Sequence, residues 1–408
     1  MTVSSNQEIV RPLSGVEELF WVLDHSNTLH FSLIGEVQGP IDADTLRKAI
    51  NSVQRRHPLL TVSIDSSFNR VPHFRRTGSP IPLRIAEGLS WEEEVSRELR
   101  TPFDPAIGPL LRVVFMPGAE SSIVIVTSHH AIADGMSLIF VLRDLLKAAA
   151  GQHLEPLPEP VPIDEIFGYS TRTSSAPGVD FKYSRVCEEA VYVKSTTLTV
   201  DETRSLHERA RQEGTTIHGV LCGALALAAR ELNPAFREED FRIFNPIDLR
   251  KAVNLQDQFQ FAFIAGQIKF PPHTDASIWD MARAAPSVLA PLKSFEGGGA
   301  VINFLHQLAD EDIDVERGAE IIQIYFNEQA SISNVGILPY ESTFGDLKLV
   351  AVWGPAVLRG MKGEQTLGAA TINGALHLLH TTRVPLPELL ERTKQQLTAA
   401  FAPVTLQT

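Results

Sequence analysis

Four prolines at alternate positions, Pro156, Pro158, Pro160 and Pro162, interrupt the chain in "QHLEPLPEPVPIDEIFGYSTRTSSA". Proline fixes φ and removes a backbone donor. Such a stretch suits neither a helix interior nor a sheet interior, and it favours extended backbone. The Ser/Thr-rich run after it is loop-like. The 408 residues therefore divide into 1–151, a linker over 152–190, and 191–408, each flank large enough to close a core of its own.

Both flanks alternate strand and helix patterns. In the first, "SGVEELFWVLDHS" reads as a helix and "HFSLIGEVQG" as an alternating strand. "DADTLRKAINSVQRRHP" reads as a capped helix that stops at His57-Pro58. "LLTVSI", "LRVVFMP" and "SSIVIVTS" read as strands, the last buried on both faces. In the second flank "DETRSLHERARQEG", "TIHGVLCGALALAARELN" and "LPELLERTKQQLTAAF" read as helices. "STTLTV", "FRIFNPID", "FQFAFIAGQIKF", "ASISNVGIL", "LKLVAVWG", "TLGAATING" and "ALHLLHTTR" read as strands. Gly297-Gly298-Gly299 reads as a flexible loop. The fold class expected is α/β (α+β): two mixed lobes of similar make-up, with no repeat at a solenoid period.

The composition is that of a soluble globular protein, 44% hydrophobic and 21% charged. A formal net charge of −13 and the lack of any basic block argue against a nucleic-acid surface. The polar start "MTVSSNQEIVRPLSG" lacks a signal peptide's charged and apolar regions, and no apolar run is long enough for a membrane span. There are two cysteines, Cys187 and Cys222, and Cys222 reads as a small buried hydrophobe. A cytoplasmic, disulfide-free protein is expected.

The chemistry concentrates in "SSIVIVTSHHAIADGMSLIF", a strand pattern joined to a helix pattern through His129, His130 and Asp134. Successive side chains on a strand point to opposite faces, which disfavours one metal shared by the two imidazoles unless the chain bends after His130, and zinc would need further ligands. Histidine accepts a proton near neutral pH, which suits one of the pair to general-base work. Asp134 could orient a histidine, cap the helix or pair with an arginine, and Gly135 allows an unusual backbone angle. Read alone, such histidines are more often satisfied core residues than bases. The sequence has no G-x-S-x-G elbow, P-loop or dinucleotide fingerprint, so a base without a nucleophile implies direct attack by a second substrate.

"HHAIADG" matches the HHxxxDG signature, and the chain resembles the condensation-domain and chloramphenicol-acetyltransferase-like acyltransferases. "LSGVEELFWVLD", "RRHPLLTVSID", "TTIHGVLCGALALAAR" and "FNPIDLR" resemble other segments of that superfamily in the same order, most closely its free-standing polyketide-associated acyltransferases. The resemblance implies two chloramphenicol-acetyltransferase-like lobes with an active-site tunnel between them. It implies that His130 is the general base, that His129 supports it, and that Asp134 is structural and pairs with Arg250. Asn334 in "SISNVG" falls in a late strand, where it could contact an oxyanion or substrate or simply form a turn before Gly336.

The expected reaction is O-acyl transfer from acyl-CoA, or from an acyl carrier protein of a polyketide synthase, to a small-molecule alcohol. No metal and no organic cofactor is expected, and the chain is expected to be a monomer without nucleic-acid or stable membrane partners. Two departures stand against a standard peptide-forming condensation domain. Thr61 replaces the second arginine of the RHxxLRT pattern, and the late DFGWG element survives only as Trp353-Gly354-Pro355. With no carrier segment in the sequence, partners would act in trans. An amide-forming condensation enzyme and a catalytically silent carrier-binding module are the alternatives.

Overall fold

Two six-stranded sheets meet where the strand carrying the histidines ends. The computed structural model describes residues 8–26, 29–66, 71–170, 189–273, 275–309, 315–361 and 363–401. Met1–Gln7, Cys187 and most of the second part of the expected linker lie outside the described residues.

In the first sheet Ser121–His129 lies between His30–Gln38 and Leu111–Met116, antiparallel to both. Central strands are covered on both faces, which is why the run Val124–His129 is wholly buried. In the second sheet the order is Phe263–Phe270, Phe241–Asp248, Ala330–Ile337, Gln365–Ile372, Ala375–Thr382 and Tyr192–Leu198. A small third sheet joins Ile9–Pro12, His73–Arg76 and Val62–Asp65. "LLTVSI" accordingly splits into a 3₁₀ turn over Pro58–Thr61 and the strand Val62–Asp65.

The linker divides the chain but not the sheets. Thr343–Phe344 and Leu347–Val357, from the second flank, extend the first sheet beside His30–Gln38. This bridging strand carries part of 191–408 into the sheet built by 1–151. Without it His30–Gln38 would be an open edge. Register shifts at Leu349/Ala351 and Trp353/Ala356 bend the strand, and its Gly354-Pro355 backbone abuts the second sheet. A Cβ on Gly368 would come within 2.5 Å of the Pro355 carbonyl oxygen, so only glycine permits that approach.

Residues 152–162 run without helix or strand, yet they are packed down. The Leu157 N–H donates to the Arg56 carbonyl at 2.8 Å. Farther on, buried Asp164 accepts the Val16 N–H at 3.0 Å, at the start of the helix Gly15–Ser26. The triple glycine is no loop: it lies in the helix Phe295–Ala309. Cβ atoms there would meet the Pro291 carbonyl oxygen at 2.2 Å, Leu249 at 2.7 Å and Phe167 at 2.9 Å. Close packing on three sides, rather than flexibility, accounts for the glycines. Among the described residues no helix is long and apolar enough to cross a membrane.

Candidate active site

The strand ends at His129, and the turn His130–Ala133 leads into the helix Gly135–Ala149. Asp134 is the N-cap: its Oδ1 accepts the Ser137 N–H at 2.8 Å and the Ser137 hydroxyl at 2.9 Å. Its Oδ2 accepts from Arg250 Nη1 at 2.7 Å and from the Ala262 N–H at 3.0 Å. Arg250 also donates to Asp248 at 2.8 Å and, through Nη2, to the Gln260 carbonyl at 3.0 Å. Asp134, Ser137, Arg250 and Gln260 are buried, Asp248 alone reaching the surface, so each buried charge carries its own set of hydrogen bonds. The same contacts shorten the expected strand "FQFAFIAGQIKF" to Phe263–Phe270. The Gln260 backbone and the Ala262 N–H bind Ser137, Arg250 and Asp134, while the Ala262 carbonyl accepts the Leu249 N–H.

The two histidines part company as the alternation rule requires. His129 is fully buried, with Nε2 facing Asp24 Oδ2 at 3.3 Å and Nδ1 accepting the Ala131 N–H at 3.1 Å. His130 turns toward a cavity of about 310 Å³ that opens between the sheets. Its Nδ1 donates to the Ala133 carbonyl at 3.0 Å, which leaves Nε2 as the basic lone pair. The ring stacks on Phe31 at 4.2 Å, with Phe20 and Phe263 each at 5.5 Å. Burial lowers its pKa to about 4, against the opposing pull of the Ala133 carbonyl and Asp134, so the imidazole is neutral at pH 7.

The cavity walls are mostly apolar. Polar groups are few: Ser331 and Ser333 on one face of Ala330–Ile337, then Asn334, Lys251, Asp248 and Arg359. Asn334 Oδ1 accepts the Gly336 N–H at 2.8 Å where the strand bulges. That is the turn-forming arrangement, although the Asn334 side chain still lines the cavity. Arg359 is held by Glu328 at 2.6 Å and lies over the Phe244 ring at 4.6 Å.

Gly135 lines the cavity without the unusual backbone angle expected of it. Its role is close approach: a Cβ there would stand 3.0 Å from Pro355 Cγ on the bridging strand. Cys222 is away from the cavity lining, with Sγ 3.4 Å from Asn245 Oδ1 and its thiol pKa pushed far up by burial. Among the described residues no group of three or more His, Cys, Asp or Glu side chains is disposed to hold a metal.

The structure thus brings His130, Asp134, Gly135 and Asn334 around one cavity, with Arg250 paired to Asp134 outside the lining and His129 behind it. Sequence reasoning missed Phe20, Phe31 and Phe263, the two serines, and Asp24. One signal for Asp24 was available: an acid inside the otherwise apolar "FWVLDHS".

Residues 19–164 match the Condensation domain family, and residues 188–290 match the phthiocerol/phthiodiolone dimycocerosyl transferase C-terminus family. Tyrocidine synthase 3 of Brevibacillus parabrevis is 32% identical over 123 residues, which is 30% of this chain and 2% of that protein. Polyketide synthase PksN of Bacillus subtilis (strain 168) is 27% identical over 170 residues, 39% of this chain and 3% of that one. The chain therefore spans only a small part of these relatives. Among solved structures, polyketide synthase associated protein 5 of Mycobacterium tuberculosis superposes with a TM-score of 0.68 at 16% identity, covering 97% of this chain and 99% of that one. A trichothecene 15-O-acetyltransferase of Fusarium sporotrichioides gives a TM-score of 0.68 at 11% identity, covering 97% and 95%. At these identities the structural likeness is one of fold.

Proposed function

We propose that this chain, whose residues 19–164 match the Condensation domain family and 188–290 the phthiocerol/phthiodiolone dimycocerosyl transferase C-terminus family, transfers an acyl group from a thioester to an alcohol, with His130 as general base. The observation that carries this reading is the His130 ring itself. Its Nδ1 is tied to the Ala133 carbonyl, and Nε2 is left neutral and basic at the wall of a mostly apolar cavity. The alcohol oxygen attacks the thioester carbonyl carbon as Nε2 takes the hydroxyl proton. The C–S bond then breaks, and the imidazolium returns that proton to the departing thiolate. The tetrahedral oxyanion calls for donors, for which the first N–H groups of Gly135–Ala149 and Asn334 are the candidates. The acyl group arrives on coenzyme A or on a carrier-protein phosphopantetheine arm, and the apolar walls favour an apolar acyl chain or acceptor. No metal or organic cofactor takes part in this scheme, and none of its steps uses a protein nucleophile.

A panel of acyl thioesters and alcohols or amines, with thiol release and product mass as readouts, tests the proposal. Ester products and intersecting initial-rate lines are expected, with no acyl-protein adduct after incubation with thioester alone. Amide products would move the reading to the amine acceptor, and absence of thiol release with every pair would leave a binding module. An adduct chased by acceptor at the turnover rate would overturn direct attack.

A further inference from the structure

Asp24 lies outside the cavity lining, yet its helix presents Phe20 and Leu23 to the cavity and Asp24 to the back of the histidine pair. Its Oδ1 accepts the Leu29 N–H at 2.6 Å, which fixes the carboxylate and points Oδ2 at His129 Nε2, 3.3 Å away. His129 Nδ1 accepts the Ala131 N–H, so the ring proton belongs on Nε2, against the carboxylate. Ala131 opens the short turn whose other end, the Ala133 carbonyl, accepts the His130 Nδ1–H. The chain of contacts runs from Asp24 through His129 and the turn to the tautomer of His130. His30 and Arg112 stand beside this group. The His30 Nε2 donates to the Glu98 carbonyl at 2.9 Å and Arg112 to the Glu98 carboxylate at 2.5 Å, so both of those donors are directed at Glu98.

We propose that Asp24 is a positioning residue for His130. Its carboxylate holds the proton of His129 on Nε2 and so keeps Nδ1 free for the Ala131 N–H. That bond sets the turn which leaves His130 Nε2 facing the cavity. The inference rests on the reading of His130 as the base, but its geometry can be tested without turnover.

Asp24→Asn is the informative change. The oxygen of the introduced amide retains the Leu29 N–H, so the amide nitrogen takes the place of Oδ2 and faces the His129 Nε2–H. Two donors then oppose each other, and the proton of His129 is driven to Nδ1, where it meets the Ala131 N–H. His129→Asn supplies an acceptor near the Nδ1 position that needs no partner at residue 24.

The test combines nitrogen-15 histidine NMR at pH 8 with kinetics, using octanoyl-coenzyme A and 1-octanol or the best pair of the panel above. In the unsubstituted protein, long-range couplings should show neutral His129 protonated on Nε2 and neutral His130 protonated on Nδ1. In Asp24→Asn, His129 should switch to Nδ1–H and His130 should lose its single tautomer. There kcat should fall about 10- to 100-fold with KM little changed. In the His129→Asn background the same substitution at Asp24 should lower kcat less than about twofold, a non-additivity that marks action through His129. An equal loss in both backgrounds would overturn the proposal. So would His129 protonated on Nδ1, or charged, in the unsubstituted protein, a result available even if the variants fail to fold. Retained turnover in His130→Ala would remove the base assignment, while the His129 tautomer would still judge the link from Asp24.

Discussion

His130 and Asp134 stand four residues apart in one turn, and their surroundings are opposites. The Asp134 carboxylate accepts from Ser137 twice, from Ala262 and from Arg250, so every direction around it is filled. His130 has one polar partner and three aromatic neighbours, and its second nitrogen is left to the cavity. A saturated group can only hold shape. An unsaturated basic group beside a cavity can do chemistry, and the first arrangement keeps the second in place.

The largest effect should come from breaking the saturated side. Asp134→Ala leaves Arg250 buried with less countercharge, and it removes the helix cap and the Ala262 contact. A loss of about 3–5 kcal/mol in unfolding free energy is expected, read from urea denaturation. Combined with Arg250→Met the losses should be far less than additive; strict additivity would show that the pair is not coupled.

His130→Ala should invert that pattern. Its unfolding midpoint should stay nearly unchanged while kcat falls roughly 100-fold or more. Near-normal turnover in a folded variant would remove the base assignment.

The pH dependence sharpens the contrast further. Burial lowers the pKa of His130, and of His30, His218, His377 and His380, to about 4. The unfolded chain takes up these protons near pH ~6.5, so it binds more of them than the folded protein between about pH 6.5 and 4. The resulting stability is fully present above that window and is lost as pH falls through it. Unfolding free energy should be lower at pH 5 than at pH 7 by more than about 2 kcal/mol. The acid limb of kcat/KM should lie near pH 4 to 5. A limb at the ordinary histidine value would mean that the aromatic enclosure does not act on His130.

The smallest effect is expected at Asn334. Its oxygen already serves Gly336, so Asn334→Ala should cost about 1 kcal/mol of stability and less than tenfold in kcat. A loss of 100-fold in kcat would instead assign the oxyanion contact to its amide group.

Local chemistry in this molecule was legible and long-range assembly was not. Strand alternation alone separated His129 from His130, and the Ser/Asp-type cap pattern located the helix after Asp134. Strand candidates such as "FRIFNPID" fell where strands form, because their patterns match the buried face of a sheet. The bridging strand looked the same in sequence as its neighbours, since hydrophobic pattern does not say which sheet a strand will join. The triple glycine was misread because its cause, the approach of Pro291, Leu249 and Phe167, lies in residues distant in sequence or in the preceding helix. The aromatic enclosure was missed for the same reason: Phe20, Phe31 and Phe263 belong to three separate elements.

The bridging strand also has a consequence for how the chain is made. During synthesis His30–Gln38 emerges early, but its neighbour Leu347–Val357 is more than three hundred residues behind it. At typical elongation rates that interval lasts on the order of 15–60 s, far longer than a hairpin takes to form. The first sheet must wait through it with one long edge uncovered, and that edge invites pairing with other nascent chains. A fragment ending at the proline-rich linker would remain in this state permanently. Such a fragment should be aggregation-prone however well its own core is packed.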